Sequence, residues 1–186
     1  MLMLVGLFIV ALLLAGFLTG WLRRYALAAS LIDIPNARSS HQLPTPRGGG
    51  LSIVIVFLLG LLSLFCLDLV TVSALWAFLG AGTIVAITGF LDDHGHIAAR
   101  WRLLVHFSAA SWGLYCLGGL PALILPIPGF ELVALELGWL GQILAVLYLV
   151  WVLNLYNFMD GIDGLASIEA ITVSLGAALL YVLQTE

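Results

Sequence analysis

Three stretches of this sequence carry residue types suited to phosphate and metal chemistry. The first is Asp92-Asp93-His94-Gly95-His96, which follows an apolar run ending in Gly89-Phe90-Leu91. Two adjacent carboxylates repel each other, and at the edge of an apolar segment their desolvation is unfavourable, so a cation should compensate them. Mg²⁺ suits that place, because it is a hard cation that takes one or two carboxylates together with phosphate oxygens. Neighbouring side chains on a helix point about 100° apart, which lets one Asp bind metal while the other acts as base or orienter. The plainer alternative is an acidic cap paired with Arg100 or Arg102, and these residues alone favour neither. His94 and His96 have no further Cys or His cluster to complete a zinc site, so no zinc is assigned. A lone His106 in an apolar run is ordinarily packing rather than a ligand.

The second stretch runs from Asn154 through Asn157, Asp160 and Asp163 to Gly164. Steps of three keep successive members near one helical face, and Gly161 and Gly164 let the backbone leave the helix and approach a ligand. The result is a row of carbonyl and carboxylate ligands. Ending a helix needs far less than two amides and two carboxylates, so the purely structural alternative is the weaker one here. The third stretch is Arg38-Ser39-Ser40-His41 followed by Pro44-Thr45-Pro46-Arg47-Gly48-Gly49-Gly50. Arginine binds phosphate bidentately, and consecutive glycines expose backbone N–H groups where a helix starts, a ready anion site. It lacks the Lys-Ser/Thr ending of a P-loop. A turn with flanking arginines explains it about as well.

The elements that hold these stretches must lie in a membrane. The chain is 63% hydrophobic and 9% charged, far from a soluble mix of about half apolar and a quarter charged. Runs of roughly 20 apolar residues match the hydrocarbon core of a bilayer, and six are expected, at 2–22, 49–67, 71–91, 103–120, 139–158 and 165–183. The fold class is therefore all-α, a polytopic transmembrane bundle forming a single membrane domain over residues 1–186. Pro121, Pro126, Pro128 and Gly129, followed by alternation from Glu131 to Leu137, predict a small external hairpin within 121–138. All six cations are arginines, and they fall in the loops after the first and third spans, which makes that side cytoplasmic and the N-terminus external. No cation precedes the first apolar run, which favours a retained helix over a cleaved leader. Nucleic acid is excluded as a partner by the same charge distribution. Cys66 and Cys116 lie in apolar runs and are expected as packed thiols, not a disulfide.

Taken together, Asp33 to His41, Pro44 to Gly49, Gly89 to Asp93 and Asn154 to Gly164 resemble the polyprenyl-phosphate N-acetylhexosamine-1-phosphate transferases, glycosyltransferase family 4. The Asn-x-x-Asp-Gly-Ile-Asp-Gly segment is the most specific, and Pro35-Asn36-Ala37-Arg38-Ser39-Ser40-His41 is most similar to the O-antigen branch. The resemblance implies an enzyme of the bacterial plasma membrane that transfers a sugar 1-phosphate from a UDP-N-acetylhexosamine to undecaprenyl phosphate with Mg²⁺, releasing UMP. It implies that Asp92 and Asp93 handle metal and acceptor activation. It implies that Asn154, Asn157, Asp160 and Asp163 face the nucleotide sugar, and that His41 and Arg47 contact phosphate. His41 stands about where the muramoyl relatives have a lysine.

The family continues for four or more further helices, with another metal-binding Asp and a late His-rich loop. Neither stands in this sequence, so the expectation is the N-terminal part of a longer transferase, completed by a C-terminal half or a homodimer. Two other readings compete. A transporter or channel subunit would place acids near mid-span, whereas these sit at span ends. An inactive membrane fragment would keep every motif.

Overall fold

The computed structural model describes residues 2–33, 44–46, 48–95, 97–125, 133–162 and 164–184. Six helices carry the fold among them: α1 (Leu2–Ala28), α2 (Gly50–Cys66), α3 (Val72–Gly95), α4 (Ala99–Cys116), α5 (Gly138–Met159) and α6 (Leu165–Gln184). Two short ladders accompany the helices. Strands β1 (Ile32–Asp33) and β2 (Thr45–Pro46) pair, and β3 (Leu123–Leu125) pairs antiparallel with β4 (Val133–Leu135) in the register Leu123↔Leu135, Ile124↔Ala134, Leu125↔Val133. The hairpin expected within 121–138 is thus present; its turn at Pro128-Gly129 lies outside the described residues.

Helix ends fall where backbone chemistry stops them rather than where hydropathy does. Helix α1 runs on through Arg23 and Arg24, past the expected end at residue 22, because nothing before Ser30 disfavours a helix. Ser30 then adopts φ 56°, its N–H donating to Leu27 O at 3.4 Å and that of Leu31 to Ala26 O at 2.9 Å, the paired bonds of a Schellman cap. Asp68 (φ 57°) ends α2 and Gly118 (φ 85°) ends α4 in the same manner. Helix α3 starts on the Thr71 hydroxyl, which accepts the Ala74 N–H at 3.2 Å, and continues through Asp92, Asp93 and His94. Those residues therefore belong to the last turns of a helix and not to a loop, while Arg100 and Arg102 lie in the first turn of α4.

The chain divides into two compact units, residues 1–32 with 46–150 and residues 33–45 with 151–186, so the boundary falls inside α5. In the first unit small groups make up much of the interior: Ala26, Ala77, Ala109 and Ala110 are buried and Ser52 wholly so, beside Leu61, Leu75 and Val150. Helices α3 and α4 meet where the Trp112 ring covers Gly80, with the indole N–H donating to Trp76 O at 2.9 Å. Helices α1 and α2 are joined by the Thr19 and Ser52 hydroxyls, 2.8 Å apart. Most large apolar side chains point outward, as Phe17 does with 71% of its surface exposed. Small residues inside and large apolar ones outside is the packing of helices that face lipid.

Helices α1, α3, α5 and α6 are each long and apolar enough to cross a membrane. Helix α2 is apolar but only 17 residues long, and α4 carries Arg100 and Arg102, so these two of the six expected spans fall short on length or composition. Both cysteines are free thiols, but Cys66 is exposed rather than packed.

Candidate functional site

The acid pair stands at the end of α3. Asp92 is half-buried and doubly engaged: its Oδ2 lies 2.6 Å from Arg102 Nη1, and its Oδ1 accepts the Ile97 N–H at 2.7 Å. One carboxylate thus caps the turn between α3 and α4 and ties the two helices together. This is the pairing the plainer sequence alternative named, now resolved to Arg102. Arg100 instead lies over the Trp101 ring, 5.7 Å from its centroid. Asp93 is exposed. His94 turns back along its own helix, its Nδ1 2.8 Å from Phe90 O and its ring 4.3 Å from that of Phe90.

The residues that follow the glycine run and those that precede the acid pair line one groove in the first unit. A groove of about 300 Å³ between α2 and α3 is lined by Leu51 at the start of α2 and by Phe90 and Leu91 just before Asp92. Gly48 has φ 87°, a conformation that side chains resist. The N–H groups of Leu51 and Ser52 turn to Gly48 O and Gly49 O, each at 3.2 Å, and no side chain caps α2. A helix start without a side-chain cap carries the positive end of the helix dipole, which suits an anion. Of the third sequence stretch, His41 and Arg47 lie outside the described residues.

The second unit holds the other motif. Asn154 and Asn157 occupy the last turns of α5, Asp160 follows it, and all three are exposed. The chain leaves the helix through tightening bonds: Asp160 N–H to Tyr156 O at 3.0 Å, Gly161 N–H to Phe158 O at 3.2 Å and Ile162 N–H to Met159 O at 3.0 Å. Gly164, at φ 77°, then starts α6, where Ile168 N–H donates to Gly164 O at 2.9 Å. Asp163 lies outside the described residues. No group of three or more His, Cys, Asp or Glu side chains placed to hold a metal occurs among the described residues.

Sequence reasoning missed Gln142. Its Oε1 accepts the Leu120 N–H at 2.9 Å and its Nε2 reaches Leu120 O at 3.5 Å, clasping the base of the hairpin to α5. A lone amide in an apolar run was the available signal.

The acid pair thus ends α3 in the first unit, and the amide and carboxylate row ends α5 in the second. The family model for glycosyl transferase family 4 matches residues 75–186, and the chain belongs to that family. Among its relatives is the probable undecaprenyl-phosphate N-acetylglucosaminyl 1-phosphate transferase of Bacillus subtilis, 32% identical over 160 residues that cover 86% of this chain and 43% of that protein. Another is the decaprenyl-phosphate N-acetylglucosaminephosphotransferase of Mycolicibacterium smegmatis, 31% identical over 163 residues, 84% of this chain and 40% of that protein. The corresponding Mycobacterium leprae protein is 32% identical over 163 residues, again 84% of this chain and 40% of the other. The chain spans about two fifths of the length of these curated relatives. No solved structure gives a significant match.

Proposed function

We propose that this chain belongs to an enzyme that transfers N-acetylhexosamine 1-phosphate from a UDP-sugar to undecaprenyl phosphate at the cytoplasmic face of the bacterial plasma membrane. Its product would start a lipid-linked glycan such as O-antigen. An acceptor phosphate oxygen attacks the β-phosphorus of the UDP-sugar, the bond from that phosphorus to the bridging oxygen breaks, and UMP leaves. The observation that carries the proposal is that one apolar groove runs between Leu51 at the start of α2 and Phe90 and Leu91, the residues just before Asp92 and Asp93 in α3. Carboxylates for a cation and N–H groups for phosphate then adjoin an apolar surface suited to a lipid acceptor. The acids stand at helix ends and not in mid-helix, which favours transfer over an ion path.

The donor set fits Mg²⁺. Asp92 and Asp93 offer hard oxygens but no full cage, and Mg²⁺ keeps phosphate oxygens and waters among its ligands. When bound there, the ion would neutralise charge that accumulates as donor diphosphate and acceptor phosphate approach. The protein's own part is to hold Asp92 through Arg102 and the Ile97 N–H, and to offer backbone N–H groups from α2. In this reading Asn154, Asn157, Asp160 and Asp163 bind the nucleotide sugar, and His41 and Arg47 bind phosphate.

The test is transfer from labelled UDP-N-acetylglucosamine to undecaprenyl phosphate in lipid, run with the chain alone and with the remaining part of the Bacillus subtilis relative supplied in trans. The chain covers 43% of that protein, so the expected result is lipid-linked product and UMP only in the complemented reaction. No product in either arm, while the whole relative works beside it, would overturn the proposal.

A further inference from the structure

At the end of the first unit away from the acid pair, the β3–β4 hairpin has no use in the transfer proposed above, and its chemistry is unusual for a loop. A strand presents alternate residues to opposite faces, yet all six strand residues are apolar, so neither face suits water. Ile124 is 64% exposed, with Leu123 and Leu135 on the other face near 40%. An isolated two-stranded hairpin is marginal in water and needs a surface to pack on. Its base is fixed, because Gln142 clasps Leu120 to the second turn of α5, a helix long and apolar enough to cross a membrane. The hairpin therefore leaves the protein at the depth where that helix starts.

Three further features mark that depth as a lipid boundary. Tyr115 in the last turn of α4 is 81% exposed and Trp139 in the first turn of α5 is 76% exposed, the aromatic types that gather at headgroup level. From Leu103 to Trp139 there is no Lys or Arg, and the charged residues are Glu131 and Glu136. Exposed Glu136, one residue beyond β4, keeps the base of the hairpin at the wet edge.

We propose that the β3–β4 hairpin is a membrane-interface anchor, laid into the headgroup and acyl boundary beside α4 and α5 with the Ile124–Ala134 face toward the acyl chains. A segment without cations has no means of holding to a bilayer by charge alone. Insertion is the mode left to it, and structures of this kind bury to about 5–10 Å in that boundary. Its depth should not depend on anionic lipid.

The test replaces Cys66 and Cys116 with serine and attaches an environment-sensitive fluorophore at Ile124→Cys or, independently, at its cross-strand partner Ala134→Cys. The full chain is reconstituted in vesicles of phosphatidylcholine, with and without phosphatidylglycerol. Both labels should be quenched severalfold more by a doxyl group near the top of the acyl chain than by aqueous iodide, equally in both lipids. Stronger quenching by iodide would mean a hairpin standing in water. Protection from both quenchers would mean that protein covers it, as a second copy or another segment would. Either result overturns the proposal, and neither depends on whether the chain transfers sugar phosphate.

Discussion

The contact between Asp92 and Arg102 allows scaffolding and chemistry to be separated by measurement. The Asp92 side chain is 25% exposed and that of Arg102 37%, so the bridge lies between an exposed pair and a buried one. Exposed pairs contribute about 0.2–1 kcal/mol, and hydrogen bonds to charged groups about 1.5–3 kcal/mol, which puts this one near 1 kcal/mol after allowance for solvent. Asp92→Asn removes the charge but keeps an oxygen for the Ile97 N–H, and Arg102→Met keeps the apolar stem. Each should therefore cost about 1 kcal/mol of stability, or roughly 2–4 °C in Tm for a chain of this size. The double variant should lose little more than either single one, because both remove the same bond. Asp92→Ala, which also strips the Ile97 cap, should lose about 2 kcal/mol. Thermal unfolding of the purified chain in detergent, followed by tryptophan fluorescence, measures this. In the complemented transfer assay Asp92→Asn should reduce turnover far beyond tenfold, which about 1.36 kcal/mol would explain. Additive stability losses would refute the bridge, and undiminished turnover would remove the carboxylate from the mechanism.

Asp93→Asn should likewise lower turnover by orders of magnitude, and full activity in the same assay would exclude it from the reaction. With Cys66 and Cys116 replaced, single cysteines at Ser40 and Ser167 should resist an impermeant thiol reagent outside the cell, and one at Gly129 should react. The opposite labelling would invert the orientation. Gly119→Ala should lower Tm by several degrees, since φ is 89° there and a Cβ would stand 2.7 Å from Gln142 Oε1, a loss of about 1 kcal/mol or more. An unchanged Tm would show that the Gln142 clasp is loose.

Most of the fold was legible because a bilayer demands long apolar runs, and each expected span contains one helix. The ends were less legible, because hydropathy marks where lipid stops while the backbone marks where the helix stops. Arg23, Arg24, Asp92 and Asp93 are charged yet helical, and α1 and α3 simply carry them beyond the apolar run. Residues that do end helices, Ser30 and Asp68 at positive φ, give no warning in composition. The hairpin was legible from prolines and alternation. The residue types of the candidate site were readable too, but their partners were not. Asp92 and Arg102 are ten positions apart on two helices, and only the turn between them decides that Arg102, not Arg100, makes the bridge.

That turn also explains why so many charges can share one end of the first unit. An arginine at mid-bilayer would cost about 2.5–3.5 kcal/mol on insertion scales, so α1 and α4 must place Arg23, Arg24, Arg100 and Arg102 near their ends. The Thr19–Ser52 bond sets the end of α1 beside the start of α2, and the α2–α3 groove sets that start beside Asp92. Antiparallel neighbours thus bring basic residues, an uncapped helix start and two carboxylates to one level. Within that group Arg102 is already committed to Asp92 at 2.6 Å. Its charge steadies one carboxylate, and the phosphate-rich substrate proposed above would need its compensation elsewhere: from a cation at the acid pair, from the α2 start, or from the other arginines. On the proposed transfer such a site would bind anions well only with that cation, so a binding titration with labelled UDP-N-acetylglucosamine should lose its dependence on Mg²⁺ when both Asp92 and Asp93 are replaced by Asn; an unchanged dependence would remove the acid pair from the cation site.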